Sequence, residues 1–196
     1  MLVVPASSPV KSVDDLIKLG KSSDKFNFPS SGVGSYGHLA GEIFNLAAGT
    51  KFLHVPYKGT SEQIPDLILG RVHMGFFGTG DVVKYINSGQ LRGLAVFTED
   101  RWPTAPNVPT NAEANFRHSL PEVWFGIVAP AGTPVAIVNR LNEVTRHALA
   151  DAKVKERFDK IGFVLTPSTP SEFATYIKKD NEQYKEVVRA AKIAVE

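Results

Sequence analysis

The sequence predicts an α/β fold in which helices cover both faces of a largely parallel sheet. Two observations indicate it: short apolar runs of β type alternate with helical patterns, and 43% of the 196 residues are hydrophobic, which is ample for a packed core. The charges nearly balance, with 22 Lys and Arg against 20 Asp and Glu. Because no long run of like charge is present, we expect no nucleic-acid partner.

The first half of the chain is predicted to alternate helices and strands. Ser12 and Asp15 have capping-box spacing and start the first helix. A second, amphipathic helix ends near Gly49, and Thr60 and Gln63 cap a third that reaches residue 69 despite an internal proline. Strands are predicted at 26–28, 52–56, 72–77 and 91–97, and a fourth helix at 82–87.

The second half begins with a connection at 101–121 that contains four prolines and predicts an irregular crossing between domains. VWFGIVAPAGTP then predicts a strand and a helix with Thr133 at the N-cap and Pro134 at the first position. Thr169 and Glu172 predict a capping box for the last helix. A helix at 153–161, a strand at 163–165 and two buried helix stripes are also predicted, the stripes at Val138, Leu141, Val144 and Ala148 and at Phe173, Ile177, Tyr184 and Val188.

Compartment is not decided by composition. The chain has no cysteine, which excludes disulfides and thiolate metal sites and suits either the cytoplasm or the periplasm. The opening stretch MLVVPASSPVKSVDD does not have the pattern of a signal peptide. No stretch reaches the roughly 18 apolar residues of a membrane-spanning helix, so we expect a soluble protein.

The stretch SSGVGSYGHLAGE contains a literal G-x-G-x-x-G at Gly32, Gly34 and Gly37, between a strand and a helix. A glycine-rich turn that feeds a helix gathers unpaired backbone N–H groups at the positive end of the helix dipole, so it predicts an anion site. A dinucleotide fold places an Asp or Glu about 20 residues further on. Tyr57 and Lys58 stand there instead, which disfavours a dinucleotide.

A carboxylate fits this turn better than a dinucleotide does. It needs several donors that converge on two oxygens, and the hydroxyls of Ser30, Ser31 and Ser35 beside a helix N-terminus supply them without a buried unpaired cation. The alternative is that Ser35 simply forms the N-cap of the helix. The two roles are compatible because they occupy one small region.

Other chemical motifs are weak. Gly20-Lys21-Ser22 lacks the upstream glycine of a P-loop. Ser35 and His38 share one helical turn without a G-x-S-x-G elbow, so a hydrolase is disfavoured and His38 is interpreted as packing or bonding locally. The other four histidines show no metal-ligand spacing. We therefore predict no catalytic residue, no metal and no cofactor.

A second flexible turn, GTGD at 78–81, also lies between a strand and a helix. Ligands collect outside the carboxyl ends of strands in open α/β sheets, so Gly78 and Thr79 are expected beside the loop at 30–35. A plain N-cap role for Asp81 is the alternative. HVPYKG, at 54–59, ends a third strand on the same edge, where Tyr57 and Lys58 either shape the cleft or close the loop.

Five stretches carry a resemblance that covers nearly the whole chain: SSGVGSYGHLAGE, HVPYKGTSEQIPDLILGRV, GQLRGLAV, PNVPTNAEA and WFGIVAPAGTP. In this order they resemble the substrate-binding proteins of tripartite tricarboxylate transporters, the Bug family. The resemblance implies a type II periplasmic-binding-protein-like fold, a two-lobed αβα sandwich that closes on a small carboxylate. Residues 1–122 would form the second lobe and 123–196 the C-terminal part of the first lobe.

The resemblance further implies a periplasmic location and, as partners, the membrane components of a tripartite transporter. For the first glycine-rich loop it implies ligand contacts from Ser30, Ser31, Gly34, Ser35 and Tyr36. The two glycine-rich turns add Gly32, His38, Gly78 and Thr79. The predicted ligand-binding residues are Ser30, Ser31, Gly32, Gly34, Ser35, Tyr36, His38, Gly78 and Thr79.

The chain departs from the family pattern in two ways. The signal peptide and the N-terminal third of the family, with the other carboxylate loop, have no counterpart here, so we expect an incomplete first lobe whose apolar surface a homo-oligomer covers. Phe77 and Gly78 stand where many members have an Asp, which weakens the case for an amino-acid ligand. A cytoplasmic ligand-sensing domain of the same fold is the alternative function, and a dinucleotide-dependent enzyme is a weaker one.

Overall fold

The computed structural model describes residues 1–118, 120–121, 123–160 and 163–193. The chain divides into two compact units: unit 1 comprises Met1–Val123 with the end of the chain from Val187, and unit 2 comprises Trp124–Glu186. Unit 1 alternates strands and helices: β1 (Leu2–Pro5), α1 (Val13–Ser22), β2 (Asn27–Ser30), α2 (Tyr36–Ala48), β3 (Leu53–Pro56), α3 (Thr60–Ile68), β4 (Gly75–Phe76), α4 (Thr79–Asn87) and β5 (Leu91–Ala95).

The strands of unit 1 pair in both directions. β1 lies between β4 and β5 and is antiparallel to each, whereas β2 and β3 are parallel, with Ser30 opposite Pro56. The prediction of a largely parallel sheet therefore needs correction for β1. Apolar runs mark where strands occur, but the direction of a strand depends on how its connections return to the sheet, which the runs do not encode.

Two hydrophobic clusters lie against opposite faces of β1. Leu2 and Val4 belong to a cluster with Phe28 and Phe44, while Val3 belongs to a second cluster that includes Leu67. Trp102 packs against this second cluster. Because successive strand residues point to opposite faces, β1 contributes to both clusters, and each fully buried apolar side chain is worth about 1.5–3 kcal/mol.

Several predicted helix boundaries are confirmed. The Ser12 hydroxyl accepts a hydrogen bond from the Asp15 N–H (3.1 Å) at the start of α1. Gly49 ends α2 in the left-handed conformation with φ 65°, which glycine adopts without steric cost. α3 needs correction, because its N-cap is Gly59, which has no side chain, and Gln63 points elsewhere.

Strand boundaries differ more from the prediction. β2 lies slightly later than predicted, β4 keeps only two residues of the run 72–77, and β5 ends at Ala95. Val96 then forms an isolated parallel bridge with Thr110. α4 begins at Thr79, earlier than predicted, so the last three residues of the stretch GTGD are helical. Strand ends are set by the partner that is available for hydrogen bonding, and a single run does not show that partner.

Unit 2 contains α5 (Val135–Leu149), α6 (Ala152–Lys160) and most of α7 (Pro170–Ala190). The capping box of α7 is confirmed in both halves. The Thr169 N–H donates to Glu172 Oε2 (2.8 Å), and the Glu172 N–H donates to Thr169 Oγ1 (3.2 Å). At α5 the N-cap is Pro134, while the Thr133 hydroxyl donates to the Pro130 carbonyl (2.8 Å), so that prediction is wrong by one residue.

The two strands predicted in unit 2 are absent from the described residues there. The stretch from Val123 and the run 163–165 have no ladder partner among the described residues, and the Phe163 N–H donates instead to the Phe158 carbonyl (2.9 Å). The end of the predicted helix at 153–161 lies outside the described residues. The predicted buried stripe of α5 is exposed, with Leu141 at 49% and Val144 at 50%, and the stripe of α7 is only partly buried.

Trp124 is the best-anchored aromatic residue of unit 2. Its indole N–H donates to Asp180 Oδ2 (3.0 Å), and its ring stands edge-on to Phe173 and Tyr176. Across the residues that the structure describes, none of the helices combines the length and apolarity needed to traverse a bilayer.

Candidate functional site

Three helices begin at one edge of the strands in unit 1. β2 and β3 are parallel and lead into α2 and α3, and the Tyr57 N–H after β3 donates to the Ser30 carbonyl (2.8 Å). A side-chain atom added at Gly37 would lie 3.4 Å from both Ser30 Cα and the Phe76 carbonyl oxygen. The start of α2 therefore lies between the ends of β2 and β4, and α4 begins just after β4.

The loop between β2 and α2 depends on two glycines. Gly32 has φ 112° and Gly34 has φ 76°, and no atom lies within 4 Å of where a side chain would start at either residue. The Ser35 N–H and hydroxyl both donate to the Gly32 carbonyl, at 3.3 and 2.8 Å. Positive φ values and open space let the backbone of this loop face solvent directly.

Ser35 occupies the N-cap position of α2 but its side chain makes no cap bond. The expected plain N-cap role is therefore corrected: the position is right, but the hydroxyl is turned back onto Gly32. The N–H groups of the first helical turn have no acceptor within the helix, and Ser35 does not cover them. They lie at the positive end of the helix dipole, where an anion is stabilised.

Ser30 is fully buried at the end of β2, and its hydroxyl organises the loop start. Ser30 Oγ donates to the Gly32 carbonyl (2.8 Å), accepts from the Gly32 N–H (3.1 Å) and lies 2.5 Å from His54 Nε2. With the Ser30 proton on the Gly32 carbonyl, the His54 tautomer that satisfies this contact carries its proton on Nε2. Ser30 thus stabilises the start of the loop from its buried side.

His38 lies in the first turn of α2 and is only 7% exposed. Its Nδ1 accepts a hydrogen bond from the Gly34 N–H (3.0 Å), and its ring stacks on His54 with centroids 3.7 Å apart and planes 10° apart. Burial lowers the pKa of His38, and burial followed by the adjacent His38 lowers the pKa of His54 to about 4. The structure shows the local bonding that the sequence indicated for His38.

The other predicted residues have varied surroundings. The Ser31 hydroxyl accepts from Gln63 Nε2 (2.9 Å), which ties the exposed side of the loop to α3. Tyr36 is the first residue of α2. The Tyr57 hydroxyl donates to Asp66 (2.9 Å), and burial is the main reason that its pKa rises to about 12. Tyr57 therefore closes its own loop, while Lys58 is exposed.

Gly78 and Thr79 form the start of α4. Gly78 is the N-cap and has no side chain to make a cap bond, so the plain N-cap role of Asp81 is wrong. Asp81 lies in the first turn of α4, where its N–H donates to the Gly78 carbonyl (3.1 Å), and burial raises the pKa of its carboxyl group. The structure places this second turn on the same edge as the first loop, as the sequence predicted.

The structure thus brings the predicted residues of the first loop together around the start of α2. Sequence reasoning missed His54 and Gln63 as supports of that loop. In the sequence, His54 is marked only by its place in HVPYKG. Its contact with Ser30 depends on the pairing of β2 with β3, which sets Phe28 opposite His54. A direct contact between any of the predicted residues and a ligand stays a prediction.

Comparison with known proteins gives a family match over almost the whole chain. The model for the tripartite tricarboxylate transporter family receptor, TctC, matches residues 1–193. The chain is 35% identical over 193 residues to the UPF0065 protein in the tcbD-tcbE intergenic region of Pseudomonas sp. (strain P51), an alignment that covers 96% of this chain and 56% of that protein. It is 32% identical over 190 residues to Protein BugT of Bordetella pertussis, covering 96% of this chain and 58% of BugT. The chain spans a little over half the length of these curated relatives.

Solved structures show the same fold. R. palustris Rpa4515 with adipate superposes with a TM-score of 0.89 at 32% identity, over 99% of this chain and 65% of that one. Periplasmic binding protein BugD superposes with a TM-score of 0.86 at 30% identity, over 98% and 65% of the two chains. MatC from Rhodopseudomonas palustris, with bound malate, has a TM-score of 0.85 at 24% identity, over 96% and 65%, and supports the fold alone. The predicted periplasmic-binding-protein-like α/β fold and the resemblance are confirmed.

Proposed function

The chain belongs to the tripartite tricarboxylate transporter receptor family, and from this premise we propose that it binds a small carboxylate at the uncapped start of α2. The family consists of substrate-binding proteins of transporters, not enzymes. The proposed role of the chain is to hold its solute for the membrane components of a tripartite transporter in the periplasm. The solved relative BugD is a periplasmic binding protein.

One observation carries the proposal: the first turn of α2 is left without a cap bond from Ser35, beside a glycine loop that opens the backbone. A carboxylate needs two or more donors that converge on its oxygens, and the end of a helix supplies them with a favourable dipole. The hydroxyls of Ser31 and Ser35 belong to the same loop, where Ser31 accepts from Gln63 and Ser35 donates to Gly32. The predicted contacts of Gly78 and Thr79 at the start of α4 would enclose the solute from the neighbouring helix.

The solute class follows from the chemistry of this edge. A relative that is 32% identical was solved with adipate, a dicarboxylate. Neither Phe77 nor Gly78, at the end of β4, offers a carboxylate for an amino group, so a carboxylate without an amine suits the edge better than an amino acid. We propose the same assignment of lobes as the resemblance implies, with residues 1–122 in the second lobe and 123–196 in the first.

A thermal-shift screen tests the proposal. The purified chain is heated with acetate, adipate, malate and citrate, and with NAD and NADP as matched anionic controls. Binding to the native state raises the unfolding temperature, and the rise grows with the ligand concentration relative to Kd. We expect a rise with at least one carboxylate and none with the dinucleotides. A rise only with NAD or NADP would contradict the proposal, as would no rise with any carboxylate.

We also propose that a second copy of the chain covers the apolar side chains of unit 2. Phe125, Ile127 and Val128 are 75%, 72% and 78% exposed, and leaving such side chains in water forgoes about 1.5–3 kcal/mol each. A contact between two copies recovers part of this free energy. Sedimentation at micromolar concentration is expected to show a dimer or larger species, and a single monomeric species would contradict this part of the proposal.

A further inference from the structure

The stacked rings of His38 and His54 take no part in the carboxylate contacts proposed above. Each ring nevertheless makes a hydrogen bond to the loop between β2 and α2. We propose that His38 and His54 are positioning residues that hold this loop in the conformation that presents the start of α2. The inference rests on the proposed carboxylate site for its function, and on contacts within the protein for its geometry.

The pair holds the loop at two separate points. His54, on β3, reaches the loop start, where its Nε2 meets the hydroxyl of Ser30. Ser30 in turn exchanges hydrogen bonds with the N–H and carbonyl of Gly32. His38, in the first turn of α2, accepts the N–H of Gly34 (3.0 Å). Both glycines have positive φ, so these contacts act on the residues that give the loop its shape.

The protons of the two rings are fixed by their partners. His38 Nδ1 accepts from Gly34, so the proton of the neutral ring is on Nε2, which faces Glu42 Oε1 at 3.9 Å. When the Ser30 hydroxyl donates to Gly32, the His54 tautomer that completes the set donates from Nε2 to Ser30. Both contacts are thus satisfied by neutral rings, each in a defined tautomer.

The stack joins the two holding points into one unit. The rings lie 3.7 Å apart and nearly parallel, and the His54 ring also packs against Phe28, with centroids 5.4 Å apart. Phe28 is fully buried in the core. The ring pair thus links the loop to Phe28 in the core, and a link of this kind restrains the loop.

Protonation of His38 opposes this arrangement. A protonated Nδ1 would face the Gly34 N–H, donor against donor, and the hydrogen bond would be lost. The titratable groups that face the pair are Glu42 from α2 and each ring for the other, while β2 presents Phe28 and Ser30. Burial raises the pKa of Glu42 and lowers the pKa of both histidines, so all three favour their neutral forms.

Conservative and disruptive variants separate positioning from bulk packing. In His38→Asn, the amide oxygen is as many bonds from the backbone as Nδ1 and can accept the Gly34 N–H, but it does not take up a proton. His38→Leu keeps the bulk and removes the acceptor. His54→Gln and His54→Leu form the same contrast toward Ser30. His73→Leu is the matched control, because the His73 ring also contacts β2 away from the loop, with Nδ1 3.2 Å from the backbone nitrogen and 2.9 Å from the side-chain oxygen of Asn27.

The first readout is nuclear magnetic resonance of the Gly34 amide without any ligand. In the wild type we expect this amide to shift with the same midpoint as the His38 ring on acidification. In His38→Asn the Gly34 amide should stay protected from hydrogen exchange but should no longer shift on acidification. In His38→Leu it should exchange about tenfold faster, the scale of one hydrogen bond, while His73→Leu leaves it unchanged. A Gly34 amide in His38→Leu that matches the wild type would overturn the proposal.

The second readout is calorimetric titration with adipate. We expect about tenfold weaker binding in His38→Leu and His54→Leu than in His38→Asn and His54→Gln, on the same hydrogen-bond scale. Equal affinities in all four variants would overturn the positioning role. If the wild type binds none of acetate, adipate, malate and citrate while the Gly34 amide behaves as expected, the proposed carboxylate site is wrong and the positioning role is retained. If His38→Leu does not fold, the midpoints of Gly34 and His38 in the wild type decide alone, and midpoints that differ overturn the proposal.

Discussion

α2 and α7 begin in opposite ways. At α7 the capping box is closed, with Thr169 and Glu172 exchanging hydrogen bonds of 2.8 and 3.2 Å. At α2 the N-cap residue is Ser35, but its hydroxyl bonds backward to Gly32 and caps nothing. Both helices have a hydroxyl residue at the N-cap, which is the preferred type there. The residue three positions later makes the difference.

That residue is Glu172 in α7 and His38 in α2. Glu172 reaches back to the N-cap itself, whereas His38 reaches one residue further, to the N–H of Gly34. The side chain of α7 therefore completes the helix end, and the side chain of α2 fixes the loop before it. A closed helix end serves stability, and we infer that an end whose loop is held but whose first turn is uncapped serves binding.

The largest effect is expected from Gly34→Val, which acts on the loop of α2. Gly34 has φ 76°, where a side chain costs about 1–2 kcal/mol. Gly70→Val is the matched control, because Gly70 has φ 73° and equally open space but lies at the other end of α3. Both variants should lose similar stability in urea, and only Gly34→Val should weaken adipate binding, by about tenfold or more. Unchanged affinity in Gly34→Val would place the ligand elsewhere.

As the pH falls, the contacts at the start of α2 should lose their contribution to stability before those at the start of α7. The pKa of His54 is about 4 in the folded chain, below its ordinary 6.5, so the unfolded chain takes up the proton first. Stability from the histidine pair is complete above pH 6.5 and is lost as the pH falls toward 4. Bonds from the Thr169 N–H and hydroxyl lower the pKa of Glu172, so its contribution is lost only below its ordinary 4.5. Urea unfolding from pH 7.5 to 3.5 should show the first loss in the wild type and a flatter profile in His54→Gln.

A moderate effect is expected from Thr169→Ala, which opens the start of α7. The substitution removes the hydroxyl that accepts the Glu172 N–H, while the backbone N–H that donates to Glu172 remains, and should cost about 0.5–2 kcal/mol of stability. Carboxylate affinity is expected to stay at the wild-type value, as measured by calorimetry. A loss of affinity without a loss of stability would mean that α7 takes part in binding and that the contrast between the two helix starts is mistaken.

The smallest effect on stability is expected from Ser35→Ala. Because the Ser35 hydroxyl makes no cap bond, its removal should cost less than the roughly 0.5–2 kcal/mol of a lost cap. The hydrogen bond to Gly32 is lost, and with it a contact that holds the loop beside the proposed carboxylate, so affinity for adipate should fall a few-fold. A stability loss as large as that of Thr169→Ala would show that Ser35 caps α2 in solution.

The sequence predicted those features that depend on residues close along the chain. The capping boxes of α1 and α7 follow from residues three apart, and Gly49 follows from the end of one amphipathic pattern. Gln63 shows the limit of this reasoning, because its spacing from Thr60 suggested a cap while its side chain bonds to Ser31, 32 residues earlier. A tertiary contact of this kind replaces the local one whenever it satisfies the same polar group.

Features that need a partner from elsewhere could not be predicted. The direction of β1 depends on β4 and β5, which lie far along the chain. The contact of His54 with Ser30 depends on the register of β2 and β3, because a shift by one residue would turn the ring to the other face. The apolar stretch from Val123 has strand composition, yet within the described part of the chain no strand pairs with it. Composition indicates the preference, and the partner decides the outcome.

The two tryptophans of the chain give each unit its own intrinsic fluorophore. Trp102 packs on the second core cluster of unit 1, and Trp124 is anchored in unit 2 by Asp180 and two aromatic neighbours. Changing either one to phenylalanine leaves a single emitter, so the emission wavelength then reports one unit without labels. Coincident denaturation curves for the two single-tryptophan chains would mean that unit 1 and unit 2 unfold in one cooperative transition. Separated curves would assign each unit its own transition.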